Sequence, residues 1–164
     1  MLTFTLSLML TGLALLTCVG AGTVGGVFFA FSAFVMKALA QSPARQGIAA
    51  MQRINVVVLN PLFLGLFVGT ALVAAGCAVA SFVPWSPPRS PLLLGAGLLY
   101  LAGSFFVTRA FNVPLNMRLA RLGAESPEAA ADWAIYVRKW CRWNHVRTAA
   151  SIASAACSAA ALAI

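Results

Sequence analysis

The feature that most constrains the fold is a series of long apolar stretches with almost no charged residues. The first runs from Leu2 to Met36 without one charged side chain. A helix needs about 20 apolar residues to cross the hydrocarbon core of a bilayer. Four stretches approach or exceed this length, so we predict membrane spans at residues 2–36, 54–83, 91–113 and 146–164.

The composition favours a membrane protein over a soluble domain. Hydrophobic residues make up 62% and charged residues 9% of the 164 residues. This leaves too little polar surface to solvate a soluble domain of this size. We therefore predict an all-α polytopic membrane protein, a single four-helix transmembrane domain over residues 1–164. The first stretch lacks a basic n-region and a convincing cleavage site, so we expect it to be retained as an anchor.

The basic residues predict how the spans are oriented. The net charge of +8 comes from eleven bases and three acids. Two loops hold all but one of the bases, whereas the remaining loop carries only Arg89. By the positive-inside rule the two basic loops are cytoplasmic and both termini lie outside, in a multi-pass protein of the inner (plasma) membrane. Because these bases border membrane spans, we expect them to contact anionic lipid headgroups, and we predict no nucleic-acid binding.

The segment before the last span has the pattern of an amphipathic cytoplasmic helix. Ser126, Pro127 and Glu128 are typical of a helix start, with an N-cap, a proline and an acid in the first turn. Beyond them, an apolar face recurs at spacings of three and four residues: Trp133, Val137, Trp140 and Asn144. The opposite face is basic, with Arg138, Lys139 and Arg142. We expect this helix to lie at the interface or to continue into the last span.

Small residues predict where helices pack closely. Gly22 and Gly26, and also Gly65 and Gly69, have the GxxxG spacing that lets two membrane helices approach each other. The last span consists mostly of alanine and serine. We therefore expect it to pack against the other spans instead of facing lipid on all sides.

Polar side chains gather at the cytoplasmic ends of the last three predicted spans. Polar groups at that depth are costly unless they are paired or line a wet cavity, so we predict a pocket there. The candidate binding residues are Gln52, Asn55, Asn60, Asn112, Asn116, Trp140, Trp143 and Asn144. The alternative for each asparagine is a structural role in joining helix ends, and for the tryptophans an interfacial aromatic belt.

His145 and Arg147 are the candidates for chemistry in this pocket. His145 is the only histidine, and general acid–base catalysis near neutral pH would depend on it. Arg147 is suited to binding an oxyanion or a lipid phosphate. One histidine and three clustered acids cannot form a di-iron or three-histidine centre, and the four cysteines lack CxxC spacing. We predict no metal, no cofactor and no disulfide framework.

Four motifs in this polar region occur in a distinctive order. They are residues 51–55 (Met-Gln-Arg-Ile-Asn), Asn60-Pro61, residues 112–116 (Asn-Val-Pro-Leu-Asn), and Trp140 with residues 143–148 (Trp-Asn-His-Val-Arg-Thr). In combination they resemble the anthrone oxygenase-like family of small four-helix membrane proteins. The resemblance implies oxidation of a planar aromatic or polyketide-like substrate by O₂ without a cofactor.

The resemblance also implies a role for each residue. His145 would remove an acidic proton, and Arg147, Asn112 and Asn116 would hold the resulting oxyanion. Trp140 and Trp143 would form the walls around the ring system.

Two other classes of function fit the same residues. The first is a non-catalytic membrane protein that retains a lipid or quinone-like ligand in the pocket, or has a structural role. The second is a small transporter, which would need polar residues along the outer halves of the spans, where the sequence has few. The sequence leaves open the identity of the ligand and whether the chain forms a homo-oligomer.

Overall fold

The computed structural model describes residues 2–83, 85–123, 125–126 and 128–164, with side chains described from residue 5 onward. The regular structure within these ranges is entirely helical, which confirms the predicted all-α class. The elements are α1 (Leu2–Ala30), a first π-helical segment (Phe31–Val35), α2 (Met36–Gln41), α3 (Ala44–Val57), α4 (Pro61–Ala80), α5 (Arg89–Leu98), a second and a third π-helical segment (Leu99–Phe106 and Thr108–Asn112), α6 (Val113–Ala120) and α7 (Ala129–Leu162).

The long helices form a bundle in which each packs mainly against two neighbours. Helix α1 packs against α4 and α7, and α5 packs against the same two helices. In the first half of α1, Leu10 shares a buried cluster with Ala161 at the end of α7. Near the end of α1, the carbonyl oxygen of Phe28 accepts a hydrogen bond from Asn144, which comes earlier in α7. Neighbouring helices in the bundle therefore run antiparallel, as short connections require.

Three continuous helices among the described residues are long and apolar enough to cross a membrane: Thr5–Gln41, Pro61–Ala80 and Arg89–Ala120. Large apolar side chains on their outer faces are exposed, including Leu16, Leu62 and Leu72. Such faces suit contact with lipid tails. Helix α7 is long enough but less apolar, because its first half carries charged residues and its second half consists mostly of alanine and serine. The predicted fourth span at residues 146–164 stays a prediction.

The helix that contains the second predicted span begins later than residue 54. Helix α3 ends at Val57, and the chain turns before Asn60 caps α4. The Oδ1 atom of Asn60 accepts a hydrogen bond from the backbone N–H of Phe63 at 3.0 Å. Pro61 follows in the first turn, where its missing N–H leaves no hydrogen bond unmade. The Asn60-Pro61 pair is thus a helix start and not a kink.

The amphipathic segment and the last predicted span form one continuous helix. Helix α7 begins at Ala129, next to the predicted start; Pro127 lies outside the described residues. On the predicted apolar face, Trp133, Trp140 and Asn144 are buried, while the three bases on the opposite face are exposed, Arg138, Lys139 and Arg142. Of the two predicted alternatives, the helix continues into the final segment.

The closest helix contacts occur at glycines other than those predicted. A Cβ atom at Gly97 would lie 2.5 Å from the carbonyl oxygen of Ala74, and one at Gly103 would lie 2.4 Å from the Cβ of Ala150. By contrast, no such neighbour lies within 4 Å of three glycines of the predicted GxxxG pairs, Gly26, Gly65 and Gly69. The prediction of close packing was therefore wrong for the Gly65–Gly69 pair. In the other pair only Gly22 has a neighbour, the Cβ of Ala155 at 3.8 Å, which is an ordinary contact distance. The spacing defines a stripe on one helix, but not whether a neighbour faces it.

Candidate functional site

A cavity of about 450 Å³ lies at the end of the bundle where the polar residues were predicted to converge. Its walls come from the end of α1, the first π-helical segment, α3, α4, the helix Arg89–Ala120, and α7. Six aromatic side chains line it: Phe28, Phe31, Phe63, Phe67, Phe105 and Trp140. The polar lining consists of Gln52, Asn55, Thr108, Arg109, Asn116 and Arg147. The cavity is therefore mostly aromatic, with a limited set of polar groups.

Arg147 is the buried cation of this cavity. Only 5% of the residue is exposed, and its guanidinium carbon lies 4.1 Å from the ring centre of Phe28 and 5.1 Å from that of Trp140. Nη1 donates a hydrogen bond to the hydroxyl of Thr108 at 3.2 Å, and Nη2 donates to Oδ1 of Asn144. The Nε–H is buried and has no acceptor.

No acidic side chain in the described part of the chain forms an ion pair with Arg147. Glu125 pairs with Arg45, Asp132 pairs with Arg118, and Glu128 is exposed. An unpaired buried charge is unfavourable because desolvation is not offset by a counterion. The cavity is thus electrostatically suited to an anionic ligand.

Two predicted site residues make hydrogen bonds that join the helices around the cavity. Asn144 is fully buried, and its Nδ2 donates to the carbonyl oxygen of Phe28 at 2.8 Å and to the hydroxyl of Ser32 at 2.7 Å. Asn112 is 1% exposed and donates to the carbonyl oxygen of Trp140 at 3.3 Å. Neither side chain lines the cavity. Asn144 instead joins α7 to the end of α1 and orients Arg147 through its Oδ1 atom.

Two other predicted asparagines line the cavity. Oδ1 of Asn116 accepts hydrogen bonds from the hydroxyl of Tyr136 at 3.0 Å and from Nε1 of Trp140 at 2.9 Å. Because the indole N–H of Trp140 can only donate, Oδ1 is the atom that faces it, and Nδ2 is the group left for a ligand. Asn55 also lines the cavity, and its buried Nδ2 makes no hydrogen bond of good geometry.

Tyr136 is a positioning residue that sequence reasoning missed. Burial raises the pKa of its phenol well above the usual range, and the neighbouring Asn55 and the positive charge of Arg147 offset this rise only in part. The phenol is therefore protonated at neutral pH and keeps donating to Asn116. Its position between Trp133 and Trp140, at helical spacing, was the available signal.

The other predicted residues lie at different distances from the cavity. Gln52 lines it, while its amide donates to the carbonyl oxygens of Leu119 at 2.8 Å and Leu122 at 3.1 Å, joining α3 to the end of α6. Asn60 is an exposed helix cap. The structure therefore brings five predicted residues into the lining, Gln52, Asn55, Asn116, Trp140 and Arg147.

His145 and Trp143 do not line the cavity. His145 lies on the exposed face of α7. Trp143 stacks on Phe111 with ring centres 3.6 Å apart. Their predicted roles as base and cavity wall are thus not supported by the geometry, and they stay predictions. Among the described residues no group of three or more His, Cys, Asp or Glu side chains is placed to bind a metal.

The π-helical segments contribute directly to the cavity. Phe31 comes from the first segment, Phe105 from the second, and Thr108 and Arg109 from the third. Wider turns of this kind occur frequently at functional sites, because they change which side chains face a neighbouring helix. Nothing in the sequence pattern distinguished these turns from ordinary α-helix.

Part of this site lies in a region that matches a known protein family. A family model described as anthrone oxygenase matches residues 61–157, more than half of the chain. The chain belongs to the anthrone oxygenase family. The matched region includes both the Asn112–Asn116 and the Trp140–Thr148 motifs, whereas Gln52 and Asn55 precede it. No match to a curated protein or to a solved structure was found.

Proposed function

We propose that this protein binds a planar aromatic acid in the cavity as its conjugate base, and that the bound anion reacts with O₂. The observation that carries this proposal is Arg147, a buried guanidinium that lies in the wall of an aromatic cavity and has no acidic partner among the described residues. Family membership supports an anthrone as the substrate type. An anthrone has a carbonyl that becomes an oxyanion when its benzylic CH₂ group loses a proton.

Two donor groups are available to hold that oxyanion. They are the guanidinium of Arg147 and the side-chain amide of Asn116. Aromatic walls hold a planar ring system by stacking, and the apolar surroundings strengthen each of these interactions. Ionisation of the ligand also places a negative charge beside Arg147, which otherwise has no acidic partner among the described residues. The site thereby lowers the pKa of the bound C–H acid.

The reaction balances without a further reductant. The C–H bond breaks heterolytically, the proton passes to water, and the electron pair stays on the enolate. The enolate carbon gives one electron to O₂, and the resulting radical and superoxide combine to form a C–O bond. The peroxide anion takes up a proton to give a hydroperoxide. Its O–O bond then breaks as the second C–H hydrogen leaves as a proton, so that one water is released and a carbonyl remains. One CH₂ group and one O₂ become one C=O group and one water.

Proton removal does not require a side chain inside the cavity in this scheme. The described lining residues include no His, Asp, Glu, Lys or Cys. Stabilisation of the anion by Arg147 takes the place of a strong base, with water as the acceptor. The predicted assignment of His145 as base is tested separately by its own variant.

We further propose that α7 forms a fourth span, with both termini outside and the cavity near the cytoplasmic side of the inner membrane. The exposed bases Arg118, Arg121, Arg138 and Lys139 near this end of the bundle support that orientation. The proposal that α7 spans the membrane is supported by its buried serines, which face the other helices and not lipid. Among them are Ser151, Ser154 and Ser158.

The test is O₂ consumption by the purified protein with a model anthrone, corrected for spontaneous oxidation. We expect one O₂ consumed per quinone formed. Arg147→Met should lower the rate about 10²–10³-fold, the usual cost of losing an oxyanion donor. Arg142→Met, an exposed arginine on the same helix, is the matched control and should keep the parent rate. Equal rates for the two variants would refute the role of Arg147.

A second candidate is a non-catalytic protein that retains a quinone-like anion. The observation in its favour is the lack of a titratable base among the described lining residues. A hydroxyanthraquinone changes colour on ionisation, so binding beneath Arg147 is visible as a shift of its absorption. A shift in the parent that is lost in Arg147→Met, without anthrone oxidation by the parent, would establish this alternative.

A further inference from the structure

The cavity is open at one side, and its rim is formed by exposed lining residues. These are Val56, Leu59, Leu64, Val68, Arg109, Met117 and Ala120. All but Arg109 are apolar. Leu59 is 66% exposed and Met117 is 55% exposed. An apolar opening of this kind is unfavourable in water and favourable against lipid tails.

The rim belongs in part to the helices that are apolar enough to cross a membrane. Leu64 and Val68 are four residues apart on one face of Pro61–Ala80, and Met117 lies on Arg89–Ala120. The opening therefore lies beside α4 and the helix Arg89–Ala120, where these helices meet the hydrocarbon phase. Arg109 is the one exposed charged residue among the described lining residues.

We infer that the cavity takes its ligand sideways from the bilayer, as an uncharged, membrane-dissolved weak acid that becomes anionic only beneath Arg147. An ion does not cross the hydrocarbon phase at useful concentration, because transfer of an isolated charge from water is prohibitively costly. A neutral aromatic acid partitions into the bilayer and passes the apolar rim. The buried cation then stabilises its conjugate base. This inference rests on the proposed anion site, and it narrows the substrate class to lipophilic neutral acids.

The position of the opening is testable without any turnover. In the full chain with its four cysteines replaced by alanine, Leu64→Cys marks the rim, and Lys139→Cys marks the exposed basic face of α7. Both are reconstituted in lipid nanodiscs and treated with a charged methanethiosulfonate reagent. We expect Lys139→Cys to react at least tenfold faster. Equal rates would show that water covers the rim and would overturn the lipid-side route.

Passage through the opening is tested by a blocking substitution. Val68→Trp places a large ring in the rim, whereas Leu72→Trp changes a 70% exposed residue of the same helix that does not line the cavity. The measurement is the stopped-flow rate at which a neutral hydroxyanthraquinone binds in nanodiscs. Val68→Trp should slow binding at least tenfold and Leu72→Trp should not. Matching rates would overturn the route.

The charge of the probe separates this inference from the proposed oxidation. The parent should bind the neutral hydroxyanthraquinone at least tenfold more tightly than its sulfonated analogue, which carries a permanent charge. Equal binding of the sulfonate would overturn the substrate class. Binding of the neutral probe without anthrone oxidation would refute the oxidation while leaving the lipid-side route in place.

Discussion

Replacing Asn144 by leucine should destabilise the bundle while keeping the number and branching of the side-chain heavy atoms. The change removes two hydrogen bonds from Nδ2 to the first π-helical segment and the end of α1, and one bond that Oδ1 accepts from Arg147. Interhelical hydrogen bonds in membrane proteins contribute about 0.6 kcal/mol on average, and bonds to charged groups contribute about 1.5–3 kcal/mol. We therefore expect a loss of about 3–4 kcal/mol in the free energy of unfolding.

The matched control is Asn60→Leu, which removes an exposed helix cap and should cost about 1 kcal/mol. Both variants are compared with the parent by reversible unfolding in mixed micelles, with helix content followed by circular dichroism. A loss for Asn144→Leu no larger than that for Asn60→Leu would refute the assignment. It would mean that the bonds of Asn144 do not hold α7 against α1.

Three further predictions follow from the same contacts. Gly103→Ala should destabilise the protein by about 1–3 kcal/mol, because its Cβ meets Ala150 at 2.4 Å; Gly26→Ala, in open space, should be neutral or slightly stabilising, and equal effects in thermal unfolding would contradict the packing. His145→Ala should keep anthrone oxidation within about twofold of the parent, because His145 is exposed and does not line the cavity; a fall of about 10²–10⁴-fold, the usual contribution of general acid–base catalysis, would restore histidine as the base. Above pH 10 the parent should lose stability more steeply than Tyr136→Phe, because the folded phenol holds its proton to higher pH than the unfolded one; parallel pH profiles would contradict the burial of Tyr136.

Helical periodicity predicted the faces of the last helix correctly. Trp133, Trp140 and Asn144 were expected on one face, and all three are buried. The same reasoning failed for the GxxxG pair of Gly65 and Gly69, since both have open space beside them. Periodicity describes one helix at a time. It predicts which residues share a face, and it identifies the core side only where the opposite face is charged.

For the candidate site, too, some predictions from the sequence agree with the structure and others do not. Sequence motifs pointed to Arg147, Asn116 and Trp140, which line the cavity, but they also pointed to His145, which is exposed. Arg147 and His145 are two residues apart, and on an α-helix such neighbours face different directions. Proximity in sequence suggested one site, and helix geometry separated them.

The sequence by itself indicated a membrane environment, an all-helical fold and the end of the bundle at which the polar side chains lie. It could do so because length, hydropathy and charge are local properties of the chain. Only the tertiary structure decided which polar groups share a cavity. Tyr136 holds Asn116, Asn144 orients Arg147, and no acid reaches that cation among the described residues. These relations arise between helices far apart in the chain. They depend on the rotation and depth at which each helix packs, and no single segment encodes either.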